Sequence, residues 1–507
     1  VFVNGQDYSL YFPTEALRSF IEQPLKITEA QGKFDIFAKL NGGGKVGQAG
    51  ALRHGISRAL VDANEEYKAE RLPHPRPAHE RTKEARSAGC PQAVPVLETL
   101  IRFQISLSCT PRPVFRSGRS FYFRSTFLHR MSLPLPKSFR AAGLHAGIKK
   151  DGIKDMALFV SDVPAQAAGV FTTNQVCAAP VHLDRERVAN GRGRAILVNS
   201  GNANACTGPQ GLEHARTMSR IAADALDLPL EDTFVCSTGS IGKQLPMDVI
   251  GSGIHALVAQ LGTDGIDAAD GILTSDSKRK VARRTFEGGA SMIAVAKGAG
   301  MIQPNMATML CFVLTDLQVD NPQAALRAAT EQSFNRITVD GDMSTNDTVL
   351  LLANGASGVS IDPAAFQTAL DQVLHDLALQ IVNDGEGISK VVTLKVAGAD
   401  SDADADTVAR AVANSLLVKT AWAGTYPSWG RVMDAIGYAG VPITEEKIDI
   451  DFNDTRKVTG GLDTGADTTA ITAQREFSIS IDLGRGSGNA IIYTTDCTEA
   501  YVRFNMH

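Results

Sequence analysis

From about residue 131 to the end, short apolar and β-branched runs alternate with longer Ala- and Leu-rich stretches. The runs at 195–198, 308–315, 349–353, 390–396 and 477–483 are strand-sized and predict strands. The stretches at 212–226, 324–333 and 363–383 carry apolar residues at helical spacing and predict helices. Strands and helices in alternation predict a layered α/β fold. Residues 1 to about 72 read differently. Val1-Phe2-Val3 and Lys33-Phe34-Asp35-Ile36-Phe37 are strand candidates, and a helical stretch from Gln48 to Leu60 follows Gly42-Gly43-Gly44, which together predict a small α+β unit. Residues 73–130 show no sustained period of either kind.

Composition sharpens this division. A chain of 507 residues exceeds one core, and its 44% hydrophobic and 21% charged residues are those of soluble globular protein. A net charge of −5 gives no global attraction to nucleic acid or anionic membrane. Residues 71–130 stand apart, with eleven Lys/Arg against three Asp/Glu and scattered prolines, and are expected to pack no core. Seven cysteines, odd in number and never spaced C-x-x-C, argue against a disulfide scaffold and a structural zinc site. The longest apolar run, 309–314, is far shorter than the roughly 18–20 residues of a membrane span. The N-terminus lacks the regions of a secretory signal, so the cytoplasm is the expected location. Because the chain opens on Val1, a missing N-terminal piece is also expected.

Gly42-Gly43-Gly44-Lys45-Val46-Gly47 satisfies G-x-G-x-x-G, but the surrounding βαβ pattern and the later acidic residue of a dinucleotide site are lacking. Instead, Val1-Phe2-Val3-Asn4-Gly5, Tyr11-Phe12-Pro13, Gly32-Lys33-Phe34-Asp35 and the stretch from Gly42 through Gly47-Gln48-Ala49-Gly50-Ala51 to Arg53-His54-Gly55-Ile56 resemble the family of protein nine of the small ribosomal subunit. The resemblance implies contact with ribosomal RNA through residues 1–72 alone. That family ends in a strongly basic tail. Back-translation of residues 75–85 and 91–100 with the same one-base shift can reproduce such a tail and then a stop. Residues 73–130 are therefore expected to be an out-of-frame join between two genes, a fusion with a linker being the alternative that resequencing the DNA distinguishes.

The chemistry concentrates at Lys297-Gly298-Ala299-Gly300-Met301-Ile302-Gln303-Pro304-Asn305-Met306-Ala307-Thr308. Glycines and proline describe a tight connection, with Thr308 at the mouth of an apolar strand. A threonine hydroxyl is a weak nucleophile until a base takes its proton. An N-terminal threonine has such a base in its own α-amine, which in a free peptide titrates at about 7.7–8.0. Breaking the Ala307–Thr308 bond would create one. Alone, an Ala-Thr pair entering a strand is more often ordinary buried structure.

A wider pattern changes that reading. Gly169-Val170-Phe171-Thr172-Thr173-Asn174, Asn199-Ser200-Gly201-Asn202-Ala203-Asn204, Ser237-Thr238-Gly239-Ser240, Gly271-Ile272-Leu273-Thr274, the segment from Lys297, Ser344-Thr345-Asn346-Asp347-Thr348, Asp384-Gly385-Glu386-Gly387 and Trp429-Gly430-Arg431 together resemble the ornithine acetyltransferase (glutamate N-acetyltransferase) family. The resemblance implies that fold, with an α chain (131–307) and a β chain (308–507) made by self-cleavage at Ala307–Thr308. It implies Thr308 as nucleophile, Thr238 and Gly239 as the oxyanion pair, and Thr274, Lys297, Thr308, Glu386 and Asn505 as substrate-binding residues. Charge complementarity suggests Lys297 for a substrate carboxylate and Glu386 for the ornithine amine.

The implied reaction moves an acetyl group from N-acetylornithine to glutamate, with no metal or organic cofactor and with two α and two β chains assembled. Acetyl-coenzyme A stays open as a second donor. Two other readings stand beside it: a ribosomal RNA-binding protein with an extension, and an aminopeptidase or amidase of N-terminal-nucleophile type. The family usually continues past Val502-Arg503-Phe504-Asn505 to a further substrate-binding hydroxyl residue, so a shortened C-terminus is expected here. His182, His214, His255 and His375 fall in no catalytic spacing and are expected to be structural or exposed.

Overall fold

The computed structural model describes residues 132–150, 152–303 and 309–506, together with 2–3, 6–12, 15–27, 35–38, 48–50, 52–53, 55–57 and 105–108. The chain divides into two units, Val1–Phe127 and Leu128–His507. Gly42-Gly43-Gly44, Ala307 and Thr308 lie outside the described residues, as does most of 73–130.

In the first unit, β1 (Phe2–Val3), β2 (Gln6–Asp7), β3 (Asp35–Ala38) and β4 (Ile105–Ser108) form a sheet ordered β2-β1-β3-β4. The helix Glu15–Ile27 contributes Ile21 and Leu25 to a core with Val3, Phe12, Ile36, Leu52 and Ile56. Strand β4 is a short element within 73–130, where the sequence shows no sustained period. Ile105-Ser106-Leu107-Ser108 alternates apolar and polar positions with period two, and it pairs antiparallel with β3.

The second unit is built on β5 (Phe139–Leu144), β6 (Met156–Phe171), β7 (Arg192–Asn202), β8 (Thr233–Ser240), β9 (Lys280–Thr285), β10 (Ser291–Lys297), β11 (Leu310–Thr315) and β12 (Thr348–Ala353). Their order is β8-β7-β6-β12-β11-β10-β9, with β5 also on β6. The 16-residue β6 belongs to both halves: its first residues pair with β7, its last with β12, and the register shifts between Val160 and Ala165. That bend lets the halves face one another, and the rings of Phe159 on β6 and Phe312 on β11 meet at 5.5 Å.

Side-chain alternation sorts the layers, because neighbouring strand residues point to opposite faces. Phe159, Ile196, Leu350 and Phe312 fill the space between the halves. Leu158, Leu197 and Val235 face outward onto helices Gly208–Leu226 and Met247–Ala259. Leu351, Val313 and Ala294 face the opposite way, onto helices Gln323–Gln332 and Pro363–Asn383. The result is a helix–sheet–sheet–helix stack. Helix Pro363–Asn383 has the predicted bounds because Asp362 accepts from the Ala364 and Ala365 amides while Pro363 opens the first turn.

A second sheet, of β13 (Val391–Ala399), β14 (Asp449–Phe452), β15 (Thr455–Thr459), β16 (Leu462–Asp463), β17 (Glu476–Asp482) and β18 (Gly488–Thr495), is ordered β16-β15-β14-β17-β13-β18. Helices Asp402–Asn414, Leu416–Ala423 and Trp429–Gly437 cover it, with Trp422 and Val408 in the shared core. Among the described residues, no helix is long and apolar enough to cross a membrane.

Candidate active site

Strands β7 and β8 run parallel and end side by side, Ser200 opposite Thr238 and Gly201 opposite Gly239. Gly239 has φ +130°, and a Cβ on it would stand 2.3 Å from the Gly201 carbonyl carbon and 2.6 Å from the Asn202 nitrogen. Only glycine satisfies both the torsion and the close approach. Side chains from three places lock this turn. The Ser237 hydroxyl donates to Asn199 Oδ1 at 2.6 Å, and Asn199 Nδ2 donates to the Asn202 carbonyl at 2.8 Å. Asn346 Nδ2 donates to the carbonyls of Ser237 (2.8 Å) and Ala203 (2.6 Å). Thr238, buried at 4% exposure, therefore sits in backbone that cannot easily relax, as preorganised donors to a developing charge require.

Beside it lies a buried group of charges that the spacing of the sequence did not reveal. Lys280 is an ammonium between the carboxylates of Asp276 and Asp384. Asp276 also accepts from the Thr274 amide at 2.9 Å and the Gly298 amide at 2.7 Å. Asp384 holds Ser277 at one side and is followed by Gly385 and Glu386. One ion cluster thus fixes the backbone of Thr274, the residue after Lys297 and the residue two before Glu386. Burial pushes the Asp276 carboxyl upward, but Lys280, Lys297 and hydrogen bonds from Lys280 and the Thr274 amide outweigh it and hold the group below the usual carboxylate range.

Lys297 ends β10 opposite Leu310. Burial pulls its ammonium pKa down and Lys280 adds to the fall, against the opposing pull of Asp276, Asp347 and Glu386. Lys149, also absent from the sequence reading, donates to the Lys154 and Leu273 carbonyls; burial brings its amine down to about 8. Its hold on Leu273 steadies the approach to Thr274.

Glu386 accepts from Asn505 Nδ2 at 3.2 Å, and its amide donates to the Ala299 carbonyl at 3.0 Å. A Cβ on Gly300 would stand 2.3–2.6 Å from the three carboxylate atoms, so the glycine leaves space for that charge. The helix Glu499–Phe504 carries Asn505 at its end and is capped by Thr498, whose hydroxyl also reaches the Gly387 carbonyl. Tyr501 meets Asp340 at 3.3 Å, and Asp340 accepts the amides of Met301 (2.6 Å) and Ile302 (2.7 Å). The C-terminal helix is in this way tied to the chain that leads toward Thr308.

The fold brings Thr274, Lys297, Glu386 and Asn505 into one connected group, and Asn346, next to Asp347, links it to the Thr238–Gly239 turn. Ala307 and Thr308 are outside the described residues, between Gln303 and Met309. His182 and His255 are exposed, and His375 packs edge-on against Tyr493 at 5.4 Å.

The ArgJ family model matches residues 140–507. The chain belongs to the ArgJ family. Its relatives include the arginine biosynthesis bifunctional protein ArgJ of Geobacter sulfurreducens, 47% identical over 386 residues that are 73% of this chain and 98% of that protein. The ArgJ of Rhodopirellula baltica is 44% identical over 391 residues, 73% of this chain and 95% of its own. Among solved structures, the ornithine acetyltransferase of Mycobacterium tuberculosis complexed with ornithine is 40% identical, over 35% of this chain and 96% of that one, at a TM-score of 0.34. The ArgJ protein of Bacillus halodurans is 39% identical over 38% of this chain and 97% of that one, at 0.37. Membership in the ArgJ family makes this chain an acyltransferase of arginine biosynthesis. A second family model, ribosomal protein S9/S16, matches residues 1–93, running past residue 72 into the segment read above as out of frame.

Proposed function

We propose that this chain cuts itself between Ala307 and Thr308 and then carries an acetyl group on Thr308 from N-acetylornithine to glutamate, in the cytoplasm. The observation that supports this reading is the meeting of a cation, a carboxylate and a rigid Thr238–Gly239 turn around the chain that enters β11. In the cut enzyme the Thr308 α-amine takes the hydroxyl proton, and the oxygen attacks the acetyl carbonyl. Thr238 and Gly239 face the resulting oxyanion, and ornithine leaves with the proton. Glutamate enters, its amine attacks the Thr308 ester, and N-acetylglutamate departs with the threonine restored. Acetyl-coenzyme A is proposed as a second donor to the same oxygen. No metal or organic cofactor enters these steps. Two α and two β chains are the proposed assembly.

Lys297 binds the α-carboxylate shared by acetylornithine and glutamate, and Glu386, steadied by Asn505, receives the ornithine side-chain amine. Lys297→Met and Glu386→Gln are each expected to raise the KM for acetylornithine by about tenfold or more, the worth of one charge-assisted contact. Only Lys297→Met should raise KM equally for acetylornithine and glutamate. Steady-state assays of acetyl transfer check this; unchanged KM values for both variants would remove the two assignments.

A further inference from the structure

Once Thr308 is a chain end, its amine serves as base, but before the cut its nitrogen is an amide and accepts no proton. Self-cleavage therefore needs a different acceptor near the start of β11. Asp347 precedes β12, whose Thr348 pairs with Leu310 and donates its amide to the Met309 carbonyl at 3.0 Å. The Asp347 side chain is buried, at 1% exposure of the residue, and neither carboxylate oxygen has a hydrogen-bond partner of ordinary geometry among the described residues. The Met309 amide and the hydroxyls of Ser344 and Thr172 lie near it, and Lys297 on β10 is its charged neighbour. The nitrogen of that Met309 amide is bonded to the carbonyl carbon of Thr308.

A buried carboxylate normally accepts well-formed hydrogen bonds, and one whose oxygens lack them is poorly compensated for its charge and takes up a proton readily. Burial pushes its pKa well above the usual carboxylate range, against the opposing pull of Lys297 and the nearby donors. Above its own pKa, a carboxylate of raised pKa is a stronger proton acceptor than an ordinary one.

We propose that Asp347 accepts the Thr308 hydroxyl proton during self-cleavage and returns it to the Thr308 nitrogen as the peptide bond breaks. This rests on the reading of Thr308 given above. The Thr308 oxygen attacks the Ala307 carbonyl carbon as its proton passes to Asp347. The tetrahedral intermediate collapses with loss of the C–N bond, and the Asp347 proton moves to the departing nitrogen. An ester and a free amine result. Water then hydrolyses the ester, leaving a carboxylate on Ala307 and the hydroxyl on Thr308.

The test follows the intact mass of the full chain through time in cell-free translation. Wild type is expected to divide between Ala307 and Thr308. Asp347→Asn should divide about 10²-fold more slowly or not at all while keeping a cooperative thermal transition. Asp347→Glu, which retains a carboxylate, should still divide, with the midpoint of its rate–pH profile displaced from that of wild type. A D347N chain cut at the wild-type rate overturns the proposal. Where D347N loses its thermal transition, D347E decides: a displaced midpoint supports the proposal and an unmoved one overturns it. A wild-type chain that stays whole would instead remove the reading of Thr308 beneath it.

Discussion

Gly239→Ala is expected to lower kcat for acetyl transfer by about 10²- to 10³-fold, with little change in KM, because an oxyanion donor acts mainly in the transition state. The added methyl cannot be absorbed by a side-chain movement. It would meet backbone atoms of Gly201 and Asn202 at 2.3 and 2.6 Å, so the turn itself must shift, and with it the Thr238–Gly239 pair. Backbone strain alone predicts a different pattern. Gly242 nearby has φ +84° with nothing within 4 Å of an added Cβ. Gly242→Ala should therefore cost stability, about 1–3 kcal/mol, and leave kcat within a few-fold of wild type. Equal kcat losses in the two variants would show that positive φ, rather than the placement of the Gly239 turn, was being measured.

Lys280→Met should destabilise the enzyme by about 3–5 kcal/mol, the usual cost of removing one partner from a buried ion pair. Lys280 is 1% exposed, and the two carboxylates it bridges are 0% and 5% exposed. Without it, Asp276 and Asp384 face each other with no ammonium between them. Asp384→Asn in the same chain should recover part of the loss, since it removes one of the two uncompensated charges. The pH dependence has a definite sign. Asp276 is held below the ordinary carboxylate range, so its contribution is complete above that range and is lost as pH falls through its own lowered value. Removing Lys280 raises that value, and acid unfolding should begin at higher pH. Denaturant titrations at neutral and acid pH measure both effects; a loss below about 1 kcal/mol would show the cluster to be solvated rather than buried.

The sequence made the outer frame legible and the inner charges illegible, for physical reasons. Helix Pro363–Asn383 could be read because its cap, its proline and its apolar period are all local. Strands β11 and β12 could be read because residues buried on both faces leave unbroken apolar runs. The bend in β6 has only a weak signature, Ser161-Asp162-Val163-Pro164 inside an otherwise apolar strand, and the register shift at that point reveals that one strand serves two sheet halves. At the site, Thr274, Lys297, Glu386 and Asn505 were marked by motif, and the fold brings them together. Asp276, Lys280 and Lys149 were not marked, and Asp384 stood in a motif without a role, because their meaning lies in burial and in partners more than a hundred residues away. Asp347 stood inside a recognised motif without a role. Its burial without a hydrogen bond of ordinary geometry to either oxygen is a property of the packed chain.

The central claim is that acetyl groups travel on Thr308, and intact mass spectrometry of the full chain tests it most directly. The expected result is a fragment beginning at Thr308 that gains the mass of one acetyl group on incubation with N-acetylornithine and loses it when glutamate is added. Thr308→Ala should give a single uncut chain that gains nothing. Wild-type protein that transfers acetyl groups while remaining whole, or that never carries one on the fragment beginning at Thr308, would contradict the account.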